Sequence, residues 1–378
     1  MEFKLSKEQE LIQKAAREYA EKRIEPIAFQ IDRDNEIPRE IYLELGELEL
    51  MGIPFAEEYG GAGAGYMSYA LVAEQLARCS SGVSLAFSVN MLGLGAINIF
   101  GTPEQKKQWL PPCCAGKKVA SFAFTEPATG SDPKMITTTA KRDGDEYVIN
   151  GTKRFISAAD MEGPMVVFAT DDESGAPTGF VVDKFCPGYS LSEPWEKSGM
   201  RGGHTYDVYF KDVRVPAANL IGEKGKGYPI LQAGISYGKI GVSSTSLGGI
   251  QRALEESIKY AKEKIHRDKP IAKFPTIQRM VADIAIKVEA ARWMTYRLAY
   301  LADNMKNSVL FAKESALTKT FVTETAVDVA RLAVQLHGSY GVMKDYVVER
   351  IYRDVVIGEI VEGVNDMQRM IVAAILLR

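Results

Sequence analysis

Apolar residues recur at helical spacing through the first third of the chain. Leu11, Ile12, Ala15, Ala16, Tyr19 and Ala20 share one face of a 3.6-residue repeat behind a Ser6-Lys7-Glu8-Gln9 capping box. The pattern predicts a helix over 6–25 that stops before Pro26, because a proline disfavours helical geometry in the residue preceding it. Helical spacing returns over 38–50, 67–77 and 85–100, so the chain reads as all-α to about residue 117. The glycine-rich stretch 57–65 is not GxGxxG and follows no strand, so it reads as a turn rather than a phosphate cradle.

The period then shortens to two. Short β-rich runs at 119–124, 137–142, 147–150, 166–169, 179–182 and 206–210 are separated by turn chemistry, with Asp143-Gly144-Asp145 and Asn150-Gly151 as the clearest hairpin signals. From about residue 228 the helical period resumes over 231–264, 277–305 and 310–336, with a last helical segment after Val361. The expected fold is mainly α with a central β domain: an N-terminal α-helical domain (1–117), a middle β-barrel or sandwich (118–226) and a C-terminal four-helix bundle (227–378).

Composition adds exclusions. With 46% hydrophobic and 25% charged residues in 378, the chain is an ordinary globular protein of two or three units. A net charge of -3 gives no basic surface for nucleic acid or anionic membrane. No run of about 18 apolar residues occurs and no leader precedes the first helix, so no membrane span is expected and the location is expected to be the cytoplasm. Three histidines and four cysteines without CxxC spacing point to neither a metal site nor a disulfide framework.

Three stretches carry candidate chemistry. Gly234-Ile235-Ser236-Tyr237-Gly238 matches GxSxG, but no strand precedes it, so serine hydrolysis is not supported. The stretch from Ser121 to Asp132 reads either as a strand end with a polar turn or as an aromatic wall carrying a hydroxyl, suited to a flat heterocycle. Glu362-Gly363 reads either as a solvated acid with an ordinary breaker or as a partly desolvated carbon base beside bare backbone.

The chain resembles the acyl-CoA dehydrogenase family over nearly its whole length. The resemblance is carried, in family order and spacing, by 57–63, Thr125 to Asp132, Asn150-Gly151-Thr152-Lys153-Arg154-Phe155-Ile156-Ser157, 222–227, Gln335-Leu336-His337-Gly338-Ser339-Tyr340-Gly341, Tyr352-Arg353-Asp354 and Glu362-Gly363. It implies FAD-dependent α,β-desaturation of an acyl-CoA thioester, with Glu362 as the base, hydride passing to flavin N5, and electrons leaving to an electron-transfer flavoprotein. By the same matching, Phe122, Phe124 and Thr125 line the flavin ring, and Ser157 hydrogen-bonds near N5 beneath Phe155. Ser131 and Lys239 lie on the CoA side, Gly363 allows close approach of the thioester, and Asn90, Met91 and Leu92 lie near the acyl pocket. Gln335, Gly338 and Ser339 meet the adenosine half of FAD from a neighbouring subunit of a homotetramer.

The departures from the family cluster on the FAD tail. Lys264, Arg267 and Pro275 stand where Arg, Phe and Gln are usual, Asp268 and Ser339 replace glycines, Val364 replaces Thr, and Lys239 replaces Arg. A lysine keeps the charge of an arginine but not its bidentate fork. Substitute contacts from Lys264 and Arg267, weak FAD, or pairing with a related subunit each account for this; substitution within a homotetramer is favoured. Val361 replaces a tyrosine before the base, which leaves room for a branched or cyclic acyl group unless a neighbour refills it. An enoyl-CoA reductase of the same fold and a non-catalytic flavin- or acyl-CoA-binding subunit remain as alternatives.

Overall fold

The computed structural model describes residues 4–132, 135–305 and 307–377. The first helix, α1 (Lys7–Tyr19), starts with the expected capping box: Gln9 N donates to Ser6 Oγ (3.1 Å) and Ser6 N to Gln9 Oε1 (3.0 Å). It then widens into a π turn at Ala20–Ile24 and tightens into a 3-10 turn at Glu25–Ile27 before α2 (Ala28–Asp34). Pro26 therefore reshapes the helical path instead of ending it.

Four more helices, α3 (Arg39–Glu47), α4 (Gly65–Cys79), α5 (Ser81–Phe100) and α6 (Pro103–Cys114), complete the first unit. The hydrophobic pattern did not announce α6, which Thr102 caps and which carries Pro111 and Pro112 in its last turns. By length and composition α5 is apolar enough to cross a membrane, contrary to the sequence reading. Two-thirds (67%) of its most apolar window is buried, as in a core helix.

The middle unit is an eight-stranded sheet: β1 (Ser121–Ala123), β2 (Thr139–Asp143), β3 (Glu146–Ser157), β4 (Pro164–Asp171), β5 (Pro177–Asp183), β6 (Tyr189–Leu191), β7 (Thr205–Pro216) and β8 (Leu220–Ile221). The strand order is β6-β7-β3-β2-β4-β5-β8, with β1 pairing in parallel with β4. Gly144, at φ +60, turns the β2–β3 hairpin as expected.

Asn150-Gly151, in contrast, is not a hairpin. β3 runs straight through it with a shift in its register against β7. A Cβ on Gly151 would meet Thr138 at under 3 Å, so close backbone approach requires this glycine. Asn150 bridges across the bulge, donating to Asp212 Oδ1 (3.1 Å) and accepting from Asp212 N (2.8 Å).

In the last unit α7 (Gly227–Glu263), α8 (Pro275–Asn304) and α9 (Ser308–His337) are long helices. A small hairpin, β9 (Ile265–His266) with β10 (Lys269–Pro270), joins the first two. The fourth position of the bundle is shared by α10 (Val347–Gly358) and α11 (Asn365–Leu376). The pattern reading missed α10, although Val348, Ile351 and Val355 form its buried stripe. Helix α7 packs both on α4 and α5 and on the bundle helices. A Cβ on Gly248 would enter the α4 backbone at Glu74, so small residues on α7 allow that closeness.

Candidate functional site

Glu362 and Gly363 lie in the turn between α10 and α11, not inside a helix. Both have left-handed backbones, φ +54 and +88, which is costly for the glutamate and natural for the glycine. The turn is tied down from three sides. Lys319 of α9, with no exposed surface, donates from Nζ to Glu359 O (3.0 Å), Gly363 O (2.8 Å) and Asn365 Oδ1 (2.8 Å). Gln368 Nε2 donates to Gly363 O (3.1 Å), and Asn365 N to Glu359 O (3.1 Å).

The turn aims the Glu362 carboxylate at α7. A Cβ on Gly238 would fall 2.6 Å from Glu362 Oε2 and 3.0 Å from Leu92 Cδ1, so only a bare backbone leaves room there. Oε2 is buried and has no hydrogen-bond partner among the described residues. Burial raises the acid to about 7 despite the opposing positive charges of Lys239 and Lys319. Burial in turn lowers each lysine to about 8, with Glu362 pulling the other way. The result is a carboxylate half-ionised near neutral pH, with one oxygen free to take a proton.

Two neighbouring glycines on α7 mark the limits of the space beside this acid. One turn before Gly238, a Cβ on Gly234 would lie 3.0 Å from the Phe122 ring, about 6 Å along the axis. Three residues after it, about 4.5 Å along, a Cβ on Gly241 would overlap the Tyr69 hydroxyl and crowd Ser88 Oγ. Leu92 closes a third side. The GxSxG match is thus a steric feature of a helix: Ser236 is buried and donates to Gln232 O (2.7 Å).

Phe122 and Phe124 flank Phe168, at centroid distances of 5.1 and 6.4 Å. Thr125 accepts from Arg154 N (2.7 Å), which holds the β1 end beside the 154–157 segment. A buried pair sets the height of this turn. Burial opposes ionisation of Glu126, but the Lys153 ammonium (2.7 Å), Thr137 and Thr138 hold its carboxyl at about 2. Ser157 Oγ is 3.3 Å from Thr205 Oγ1, and its carbonyl accepts from Ser121 Oγ (2.9 Å). Phe155, at φ +59 and 55% exposed, packs on Trp195 (5.5 Å) with the Arg154 guanidinium near both rings. Ser131 is exposed on the turn that Glu126 anchors.

The remaining expected residues gather elsewhere. Lys264 follows α7, Arg267 lies in the exposed β9–β10 turn at φ +49, and Gln335, Gly338 and Ser339 are exposed at the end of α9. Lys264 Nζ sits 5.0 Å from the centre of the Tyr340 ring, which joins the two sets. Counted along α7 from Gly238, this cluster is about 39 Å from the Glu362 carboxylate.

Of the acyl-side candidates, Leu92 lies beside Glu362 at the bare backbone of Gly238. Asn90 is fully buried and structural, accepting from Ala120 N (2.8 Å) and donating to Met51 O (3.3 Å). The sequence reading missed Tyr69, Gly241 and Lys319. A signal for Lys319 existed: a lysine on the face of 310–336 that otherwise carries Ala316, Val322 and Ala326.

Family models match in chain order: acyl-CoA dehydrogenase N-terminal domain at 6–117, middle domain at 121–213 and C-terminal domain at 225–377. The chain is 40% identical to acryloyl-CoA reductase (NADH) of Anaerotignum propionicum, over 99% of this chain and 95% of that one. It superposes on butyryl-CoA dehydrogenase from Megasphaera elsdenii with a TM-score of 0.96 and 34% identity, covering 100% of both chains. An acyl-CoA dehydrogenase complexed with FAD from Bacillus anthracis gives a TM-score of 0.93 at 34% identity, over 99% of this chain and 67% of that one.

Proposed function

The chain belongs to the acyl-CoA dehydrogenase family and is an oxidoreductase acting on CH–CH bonds, and we propose that it desaturates a short or compact acyl-CoA thioester with Glu362 as the base. The observation that carries this reading is the unpaired, buried Oε2 of Glu362, raised to about 7 and aimed at the bare backbone of Gly238. A carboxylate in water is too weak a base for a carbon acid. Desolvation strengthens it, and a pKa near the working pH keeps a useful fraction ionised.

The residues present fit an FAD. Phe122, Phe124 and Thr125 supply a flat wall with a hydroxyl, and Ser157 a second hydroxyl next to the half-exposed Phe155. When bound there, FAD would accept the β-hydrogen as hydride and return the electrons to an electron-transfer flavoprotein. Lys264, Arg267, Gln335, Gly338 and Ser339 are assigned to the FAD tail of a neighbouring copy in a homotetramer. Support comes from the separation of about 39 Å, which is too far for one chain to hold both ends of the cofactor with these two clusters.

The contacts of Phe122, Leu92 and Tyr69 along α7 support a short or compact acyl group. They favour no branch or ring over a short straight chain, so the room left by Val361 decides nothing by itself. The reverse reaction, enoyl-CoA reduction, is the second reading, motivated by the 40% identity to acryloyl-CoA reductase. The test is a panel of CoA esters of graded length, assayed in both directions with an electron-transfer flavoprotein. Three- to five-carbon esters are expected to react at least about tenfold faster than octanoyl-CoA, since each unfavourable contact of 1.4 kcal/mol is a factor of ten. Equal rates across the panel would overturn the pocket assignment, and turnover only from enoyl-CoA would select the reductase.

A further inference from the structure

Strain at the base needs a counterweight. Glu362 holds a left-handed backbone that a side chain disfavours, and a buried carboxylate oxygen with no partner. The turn's own backbone hydrogen bonds, Glu359 N to Val356 O (3.3 Å), Ile360 N and Val361 N to Ile357 O (3.0 and 3.1 Å) and Asn365 N to Glu359 O (3.1 Å), leave the Glu362 and Gly363 carbonyls to side chains. Two side chains hold the segment: Gln368 Nε2 donates to Glu362 O (3.4 Å) and Gly363 O (3.1 Å), and the Lys319 ammonium bonds carbonyls on both sides of Glu362, at Glu359 and Gly363.

We propose that Lys319 is a positioning residue for the base: by hydrogen-bonding the carbonyls of Glu359 and Gly363 on either side of Glu362, it holds the turn that points the carboxylate at Gly238. The proposal rests on the reading of Glu362 as base. Three donated bonds satisfy all three protons of the ammonium, so its hydrogen-bonding capacity is used within the protein. Asn365 extends the clasp to α9, donating to Thr323 Oγ1 (3.0 Å) and to Glu324 Oε1 (3.2 Å). Arg369 of α11 closes on the same Glu324 (2.6 Å).

The clasp also has an electrostatic consequence. Glu362 is faced by Lys239 from α7, Lys319 from α9 and the Tyr69 hydroxyl from α4. Lys319 is faced by Glu362 and Glu359 from the turn, Glu324 from its own helix and Lys239 from α7. Removing the Lys319 charge leaves Glu362 with one cation instead of two, so its pKa rises and the fraction ionised at neutral pH falls.

The experiment uses the purified flavoprotein and its Lys319→Met, Lys319→Gln and Glu362→Gln variants. Amide hydrogen exchange over 359–365 reads the turn without any turnover. The pH dependence of flavin bleaching by butyryl-CoA under anaerobic conditions reads the base. Lys319→Met is expected to speed exchange in 359–365 at least about tenfold, to slow bleaching roughly 100-fold with little change in substrate affinity, and to move the acid limb upward. Lys319→Gln, which can still donate to two carbonyls, is expected to keep exchange slow yet show the same upward limb.

Unchanged exchange and an unchanged limb in Lys319→Met overturn the proposal. A general loss of stability, with exchange faster throughout the bundle, would assign the lysine to folding alone and overturn it too. Wild-type-like bleaching in Glu362→Gln would remove the base assignment, while the exchange result would still decide whether Lys319 holds the turn.

Discussion

At the scale of single residues, Glu362 is where structure and chemistry pull against each other. Its carboxyl is raised from 4.5 to about 7 by burial, so the native state holds a proton that the unfolded chain releases. A group raised in this way stabilises the native state fully only below its unfolded pKa. Between about pH 4.5 and 7 the stability therefore falls as pH rises. Glu362→Gln is expected to be more stable than the wild type at pH 8 by about 3 kcal/mol, from the rise of the carboxyl from 4.5 to about 7 at about 1.36 kcal/mol per pH unit, and indistinguishable below pH 4.5. Denaturant melts at the two pH values check this. An equal effect at both would mean that the acid is not desolvated in solution.

The identity of this residue was legible in the sequence only through the ordered motifs around it. Spacing alone left it between a solvated acid and a base, because nothing local says that Gly238, more than a hundred positions earlier, will lie against it. Tyr69 and Gly241 were illegible for the same reason, whereas Lys319 left a signal as a lysine on the apolar face of 310–336. Their roles come from packing between helices, which hydrophobic period does not encode.

Among the elements, the Thr125–Asp132 turn shows how a polar segment is fixed beside an aromatic wall. Glu126 and Lys153 form an ion pair whose side chains are both 0% exposed, backed by Thr137 and Thr138. Lys153→Met leaves the carboxylate buried without its cation and is expected to cost about 3–5 kcal/mol. The double variant with Glu126→Gln is expected to recover most of that, as a thermal melt of the three proteins will show. Recovery of nothing would mean that Lys153 acts through its bond to Phe124 O (3.2 Å) rather than through the ion pair.

Element boundaries were readable where capping chemistry announced them, as at Ser6, and misread where one residue type serves two purposes. Asn150-Gly151 looks like a hairpin turn because the same dipeptide makes one. Here the glycine admits Thr138 and the asparagine bridges a bulge. The 347–358 segment passed unnoticed although Val348, Ile351 and Val355 recur at helical spacing there, because it is short and lies between the long 310–336 pattern and the Glu362-Gly363 motif.

For the whole molecule, the three-unit order of helices, sheet and helices was legible from changes of period alone, whereas the sharing of core between units was not: the sheet buries a core of its own, but the largest cluster runs from Ala16 to Phe311 through all three units. The division of the site between subunits was legible only through the family resemblance: the residues proposed for the flavin ring and those proposed for the FAD tail sit at opposite ends of α7, so cofactor binding is expected to depend on assembly. In a homotetramer with substitute contacts, the flavin-to-chain ratio is expected to be near one, and Arg267→Ala to lower it without altering the isolated fold. A ratio near one half would favour pairing with a related subunit, and a ratio unaffected by Arg267→Ala would remove that residue from the tail contacts.

The most direct test of the base assignment is anaerobic mixing of butyryl-CoA with the purified flavoprotein and with Glu362→Gln, while the flavin absorbance is followed. The wild type is expected to bleach, and the variant to keep its flavin and bleach about 10²–10⁴-fold more slowly, the range for loss of a general base. Bleaching of Glu362→Gln at the wild-type rate would contradict the assignment.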